Sequence, residues 1–158
     1  MLVVADLLGA PVLTGLIIAS LWHATPRLDG VITDVRTIGM DSSNTVAVIY
    51  FEASNASNYE VSINRREVAV IVRSGDLLEG RILSESLVRK LFKYFPDLGG
   101  MQDEPLIDGR RLAPGEFMRG VVAAVFEIPR NDLDDRREIV FRIVDIKNRR
   151  AELRLESE

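Results

Sequence analysis

Acid–base or metal chemistry has few residues to draw on in this chain. The single histidine, His23, has no second candidate group near it in sequence, so neither a Ser-His-Asp relay nor a histidine metal site has material to form. The absence of cysteine removes disulfides, thiolate nucleophiles and cysteine-based zinc sites. Carboxylates gather at Asp103, Glu104 and Asp108. Such groups can serve as a general acid and base, but these fall in a glycine-bearing loop, where solvated charge is the usual explanation. A second acidic run, Asn131-Asp132-Leu133-Asp134-Asp135, supplies oxygen ligands yet lacks the Asp-x-Asp-x-Asp-Gly spacing and terminal glutamate of a calcium loop, and Arg136-Arg137 follows at once. Helix capping accounts better for it. Gly75 and Gly99-Gly100 fit no phosphate-cradling pattern. Asn55-Ala56-Ser57 matches the glycosylation acceptor triplet, a pattern that also arises by chance. No catalytic, metal-ligating or cofactor-binding residue emerges.

Two features suit binding instead. Ser84 stands as an N-cap before a run in which Leu87, Val88, Leu91, Phe92 and Phe95 fall on one helical face, with Arg89, Lys90 and Lys93 opposite; Pro96 stops the helix. The apolar stripe reads as core-facing, which leaves the three cations for a partner or for anionic lipid. The following segment, residues 97–109, has two adjacent glycines and no periodicity, and so reads as a mobile loop carrying apolar Leu98, Met101 and Leu106. Arg89, Lys90, Lys93, Leu98 and Met101 are the candidate partner contacts.

The first residues must position whatever this body does. From Leu2 to Trp22 the only ionisable side chain is Asp6, and twenty-one helical residues span about 31 Å, close to the hydrocarbon thickness of a bilayer. Leu7, Leu8, Leu13, Leu16, Ile17, Ile18, Leu21 and Trp22 are the expected anchor residues of a single-pass helix over 1–23, joined by a linker at 24–30 to a β domain over 31–158. A cleaved signal peptide competes with this reading, but no Lys or Arg precedes Arg27. A buried N-terminal helix also competes, although the run from Leu16 to Trp22 is apolar all round instead of striped. The flanks carry little positive charge, so the β domain only leans to the non-cytoplasmic side.

The whole chain holds 28% charged residues and 47% hydrophobic ones, ordinary globular usage, and 20 Lys and Arg against 24 Asp and Glu leave −4 with the signs interspersed. Nucleic acid is therefore not an expected partner. Residues 31–38 alternate with a strand's period, and Gly39–Asn44 turns the chain. Thr45 to Glu52 is β-branched and aromatic with little polar alternation, the pattern of a central strand covered on both faces. Further strands are expected around Tyr59–Ile63, Val68–Val72, Leu77–Leu83 and Phe117–Ile128. A short helical turn at 131–135 and a closing hairpin around Lys147-Asn148-Arg149 complete the chain. The early strands read as a meander. A sandwich is preferred to a barrel because the 84–95 helix reads as a crossover packed over one end of two sheets.

The run from Val46 to Ile63, with Val68-Ala69-Val70-Ile71-Val72 after it and the Pro114-Gly115 turn later, resembles the core pattern of late-embryogenesis-abundant type 2 (WHy-type) domains over residues 30–128. That resemblance implies an immunoglobulin-like antiparallel β-sandwich of seven or eight strands without catalytic residues, here with one inserted amphipathic helix and preceded by a transmembrane helix. The chain also resembles bacterial envelope proteins with one anchor and one small β domain. The expected function is a non-catalytic, cofactor-free membrane-anchored module, bound to lipid through its N-terminal helix and to a protein partner through its β domain. The alternative is a soluble or peripheral stress-protective or lipid-binding domain.

Overall fold

The structure, a computed structural model, describes residues 28–157. The anchor reading, placed on Leu7 to Trp22, lies outside the described residues, as does His23. The described chain is mostly β and antiparallel, in the order β1 (Leu28–Gly39), β2 (Thr45–Asn55), β3 (Val61–Ile71), β4 (Leu77–Ile82), α1 (Glu85–Tyr94), β5 (Arg111–Leu112), β6 (Phe117–Phe126), α2 (Arg130–Asp134), β7 (Glu138–Asp145) and β8 (Arg150–Glu156). Among the described residues, no helix is long and apolar enough to cross a membrane.

The β1–β2 hairpin follows from its turn chemistry. Asp41 accepts from the Ser43 amide at 2.7 Å and from the Asn44 side chain, while the Met40 amide donates to the Asn44 carbonyl at 2.9 Å. β1 carries a bulge between Ile32 and Asp34, which breaks the plain alternation expected of residues 31–38. At Gly30 the strands approach so closely that a Cβ would lie 2.3 Å from the Glu52 carbonyl oxygen.

The expected meander ends at β2. Strand order is β1-β2-β6-β4-β3-β7-β8, so β2 pairs with β1 and β6 and leaves β3 to β4 and β7. Tyr59–Ile63 and Val68–Val72 are not two strands but one continuous β3, bent by a bulge between Ile63 and Arg65. A period of two records which way side chains point but not which strand lies alongside.

Two connections sew β6 to β3 and fold the sheet on itself into a near-barrel. Toward the end of the sheet that holds the β1–β2 turn, β4 pairs with β3 through Leu77–Gly80 and then with β6 through Arg81 and Ile82. Toward the end that holds Leu28, Pro105 bridges Val121, the Leu106 amide donates to the Val121 carbonyl at 2.9 Å, and β5 pairs with the start of β3. On the opposite side β1 lies beside β8 without a ladder.

The main core fills the interior. It is built from the inward residues of β2 (Ala47, Ile49, Phe51, Ala53) and their counterparts on β3, β6 and β7, with the Phe51 and Phe141 rings 4.9 Å apart across it. The other face of β2, Val46, Val48 and Tyr50, forms a second core with Val88 and Leu91 of α1 and with Val121 and Ala123 of β6. This double cover explains the missing polar alternation of β2. Helix α1 starts at Ser84, whose hydroxyl accepts from the Leu87 amide. It lies on the outer face of the β1–β2–β6 side, not over one end of two sheets as expected.

Candidate functional site

The five expected contact residues separate. Arg89 turns toward the neighbouring segment, pairing with Glu85 at 2.9 Å and with Glu104. Lys90 and Lys93 are exposed, and Lys90 borders an apolar groove. Leu98 is buried in the second core beneath α1, so it offers no surface to a partner; a 3-10 turn over Pro96–Leu98 drives it inward. Met101 is half-buried.

The segment expected to be mobile is instead pinned at several points. Pro105 and Leu106 are buried, Arg66 donates to both the Leu106 carbonyl and Asp108, and the Gly109 amide donates to the Ile63 carbonyl at 2.7 Å. Its lack of periodicity reflects a chain held by main-chain bonds and one arginine. Three of its carboxylates face a guanidinium: Asp103 lies 3.6 Å from Arg119, Glu104 meets Arg89, and Asp108 lies 2.9 Å from Arg66. Asp103, Glu104 and Arg119 border a cleft of about 490 Å³ that also holds Phe117 and Ile107.

Other polar clusters are structural. In the acidic run at 131–135, Asp134 accepts from Thr37 and pairs with Arg130, and Asp135 pairs with Arg73 at 3.1 Å. Helix α2 begins at Pro129 without a side-chain cap, which corrects the capping account: Asn131 and Asp132 lie within its first turn. Asn55 is fully buried. Its amide donates to the Tyr59 and Leu112 carbonyls at 2.8 and 3.0 Å, and its oxygen accepts from the Ser57 amide, so the nitrogen a glycan would need is already occupied. Tyr50 packs its ring edge-on to Phe92 and beneath the Arg36 guanidinium, and burial pushes its phenol above the usual range.

The feature that stands out is apolar and open. Between α1 and the β1–β2 turn runs a groove of about 470 Å³, floored by Val46, Leu83 and Val125. Met40, Leu87 and Tyr94 line it while remaining 49%, 43% and 69% exposed. Leu87 and Tyr94 are seven residues apart and share one side of α1. The helix meets the sheet along the line through Val88 and Leu91, so the stripe expected to be wholly core-facing leaves Leu87 outside. On the rim, Asp41 is engaged by Ser43 and Asn44, whereas Arg81 and Lys90 form no ion pair among the described residues. Sequence periodicity pointed to the helix, but Met40 and Tyr94 carried no signal until the fold placed them together.

No protein-family model matches the chain, and no curated protein does. A solved structure of an uncharacterized β-sandwich protein from Clostridium difficile 630 is similar, with a TM-score of 0.42 and 8% identity over 84% of this chain and 88% of that one.

Proposed function

We propose that the chain is a non-catalytic binding module, held at a membrane by residues 2–22, whose groove beside α1 receives an apolar segment of a partner protein. The observation that carries this reading is the exposure of Met40, Leu87 and Tyr94 along one groove. Arg81 and Lys90 on the rim select for a segment that carries carboxylates beside its apolar side chains. The pairing of Asp103, Glu104 and Asp108 with arginines supports binding over acid–base chemistry. In the finer fold reading, β1–β2–β6 and β3–β7–β8 are the two layers of an immunoglobulin-like sandwich; the core between Phe51 and Phe141 supports it. The apolar run from Leu2 to Trp22 supports a single-pass anchor.

Replacing Leu87→Asp and Tyr94→Asp together in the full chain tests the groove. The partner recovered with the wild type from native membranes is expected to be lost while the melting temperature is kept. Recovery unchanged by the pair of substitutions would overturn the assignment of the groove.

A further inference from the structure

The strands divide the surface into two ends. β1 is twelve residues long, about 40 Å when extended, and the groove lies at its Gly39 end, beside the β1–β2 turn. At the other end Leu28 pairs with Asn55, and β2 finishes where β6 begins: Ser54 pairs with Phe117. The β7–β8 turn is at this end too, since the Ile146 amide donates to Ser62, which pairs with Arg111 of β5.

This Leu28 end carries two large apolar side chains in the open, Phe117 at 56% exposure and Ile146 at 67%. Phe117 opens β6 and Ile146 lies in the β7–β8 turn. Lys147 follows Ile146 and Arg150 opens β8 across the turn; neither forms an ion pair among the described residues, whereas Arg110 and Arg111 of the same end pair with Glu116 and Glu60. Apolar side chains beside unpaired cations match the interfacial layer of a bilayer, where hydrocarbon and phosphate lie within a few ångströms of each other.

The connection to residues 2–22 fixes which surface this end would meet. Five residues, His23 to Arg27, separate Trp22 from Leu28, and even fully extended they reach about 20 Å. We infer that the Leu28 end of the β domain lies on the surface of an anionic bilayer, with Phe117 and Ile146 in the headgroup layer and Lys147 and Arg150 against lipid phosphates. The inference rests on the anchor reading for its delivery to that surface. The groove then faces away from the membrane, open to a partner.

Because the chain has no cysteine, single cysteines can be introduced into the full-length protein at Phe117→Cys, Ile146→Cys, Ile17→Cys and Ser42→Cys and labelled with an environment-sensitive fluorophore. The protein is reconstituted in vesicles of phosphatidylcholine and phosphatidylglycerol containing spin-labelled lipid. Labels at 117 and 146 are expected to be quenched several-fold more strongly than the label at 42, which sits in the β1–β2 turn. Charge reversal by Lys147→Glu with Arg150→Glu is expected to bring position 146 down to the level of 42, as is omission of phosphatidylglycerol. Quenching at 17 with 117 and 146 no stronger than 42 overturns the inference and leaves the anchor standing. Quenching at 117 and 146 without quenching at 17 supports the surface contact and removes the anchor; quenching at none of the three overturns both.

Discussion

The Arg66 guanidinium, its side chain 9% exposed, donates from Nε to the Asp108 carboxylate at 2.9 Å while its Nη1 donates to the Leu106 carbonyl. One side chain of β3 thus holds the segment that runs from α1 to β5. Arg66→Ala removes both bonds and leaves the Leu106 carbonyl without its charged donor, at a cost of about 1–3 kcal/mol. Hydrogen exchange at the Leu106 and Gly109 amides is expected to accelerate more than at Val122 in the core. Equal protection in the variant would mean that the main-chain bonds alone hold the segment.

Asn55 offers a second test of a buried polar contact. Asn55→Ala frees two carbonyls and one amide at the junction of β2, β5 and the 56–60 turn, and is expected to lower stability by about 2–3 kcal/mol in denaturant titration. Asn55→Asp should be no rescue, because a carboxylate accepts where the site needs a donor. A change within experimental error would contradict the bonding described.

On the β8 edge, hydrogen bonds from Arg142 and then Arg154 hold the Glu152 carboxyl below the usual glutamate range. Its folded-state pKa lies under the unfolded one. The stabilisation is therefore complete above the ordinary glutamate value and disappears as pH falls through the depressed one. Glu152→Gln is expected to flatten the acid side of the stability–pH profile and to leave its alkaline side unchanged in shape. An unaltered acid slope would place the titration elsewhere.

How much of this was legible in the sequence depends on what each residue type reports. β2 could be read because its interior and helix-facing sides are both apolar, and α1 because Ser84, the stripe and Pro96 mark its start, face and stop. The closing hairpin around Lys147-Asn148-Arg149 was equally plain, with Asn148 taking the left-handed conformation. The pairing of β2 with β6 instead of β3 left no trace, since partner choice is settled by long-range closure. The 97–109 segment reads as mobile because its ties are main-chain bonds and Arg66, which lies 40 residues before Leu106 and 42 before Asp108. For the candidate site, Lys90 was found from the helix, but Leu98 turned inward. Leu87 reads as a core residue from the stripe alone, and Met40 and Tyr94 gain meaning only when the β1–β2 turn and α1 meet.

The proposed role of the groove beside α1 is to receive an apolar, carboxylate-bearing segment of a partner protein. The most direct measurement places a photoreactive phenylalanine analogue at Leu87, at Tyr94 and, as a control on exposed β3, at Asn64 of the full-length protein in native membranes, and sequences the crosslinked peptides. One peptide, apolar with Asp or Glu beside it, is expected from positions 87 and 94 and none from 64, with loss of both crosslinks on charge reversal of Arg81 and Lys90. Crosslinks to lipid, or the same peptides from all three positions, would contradict it.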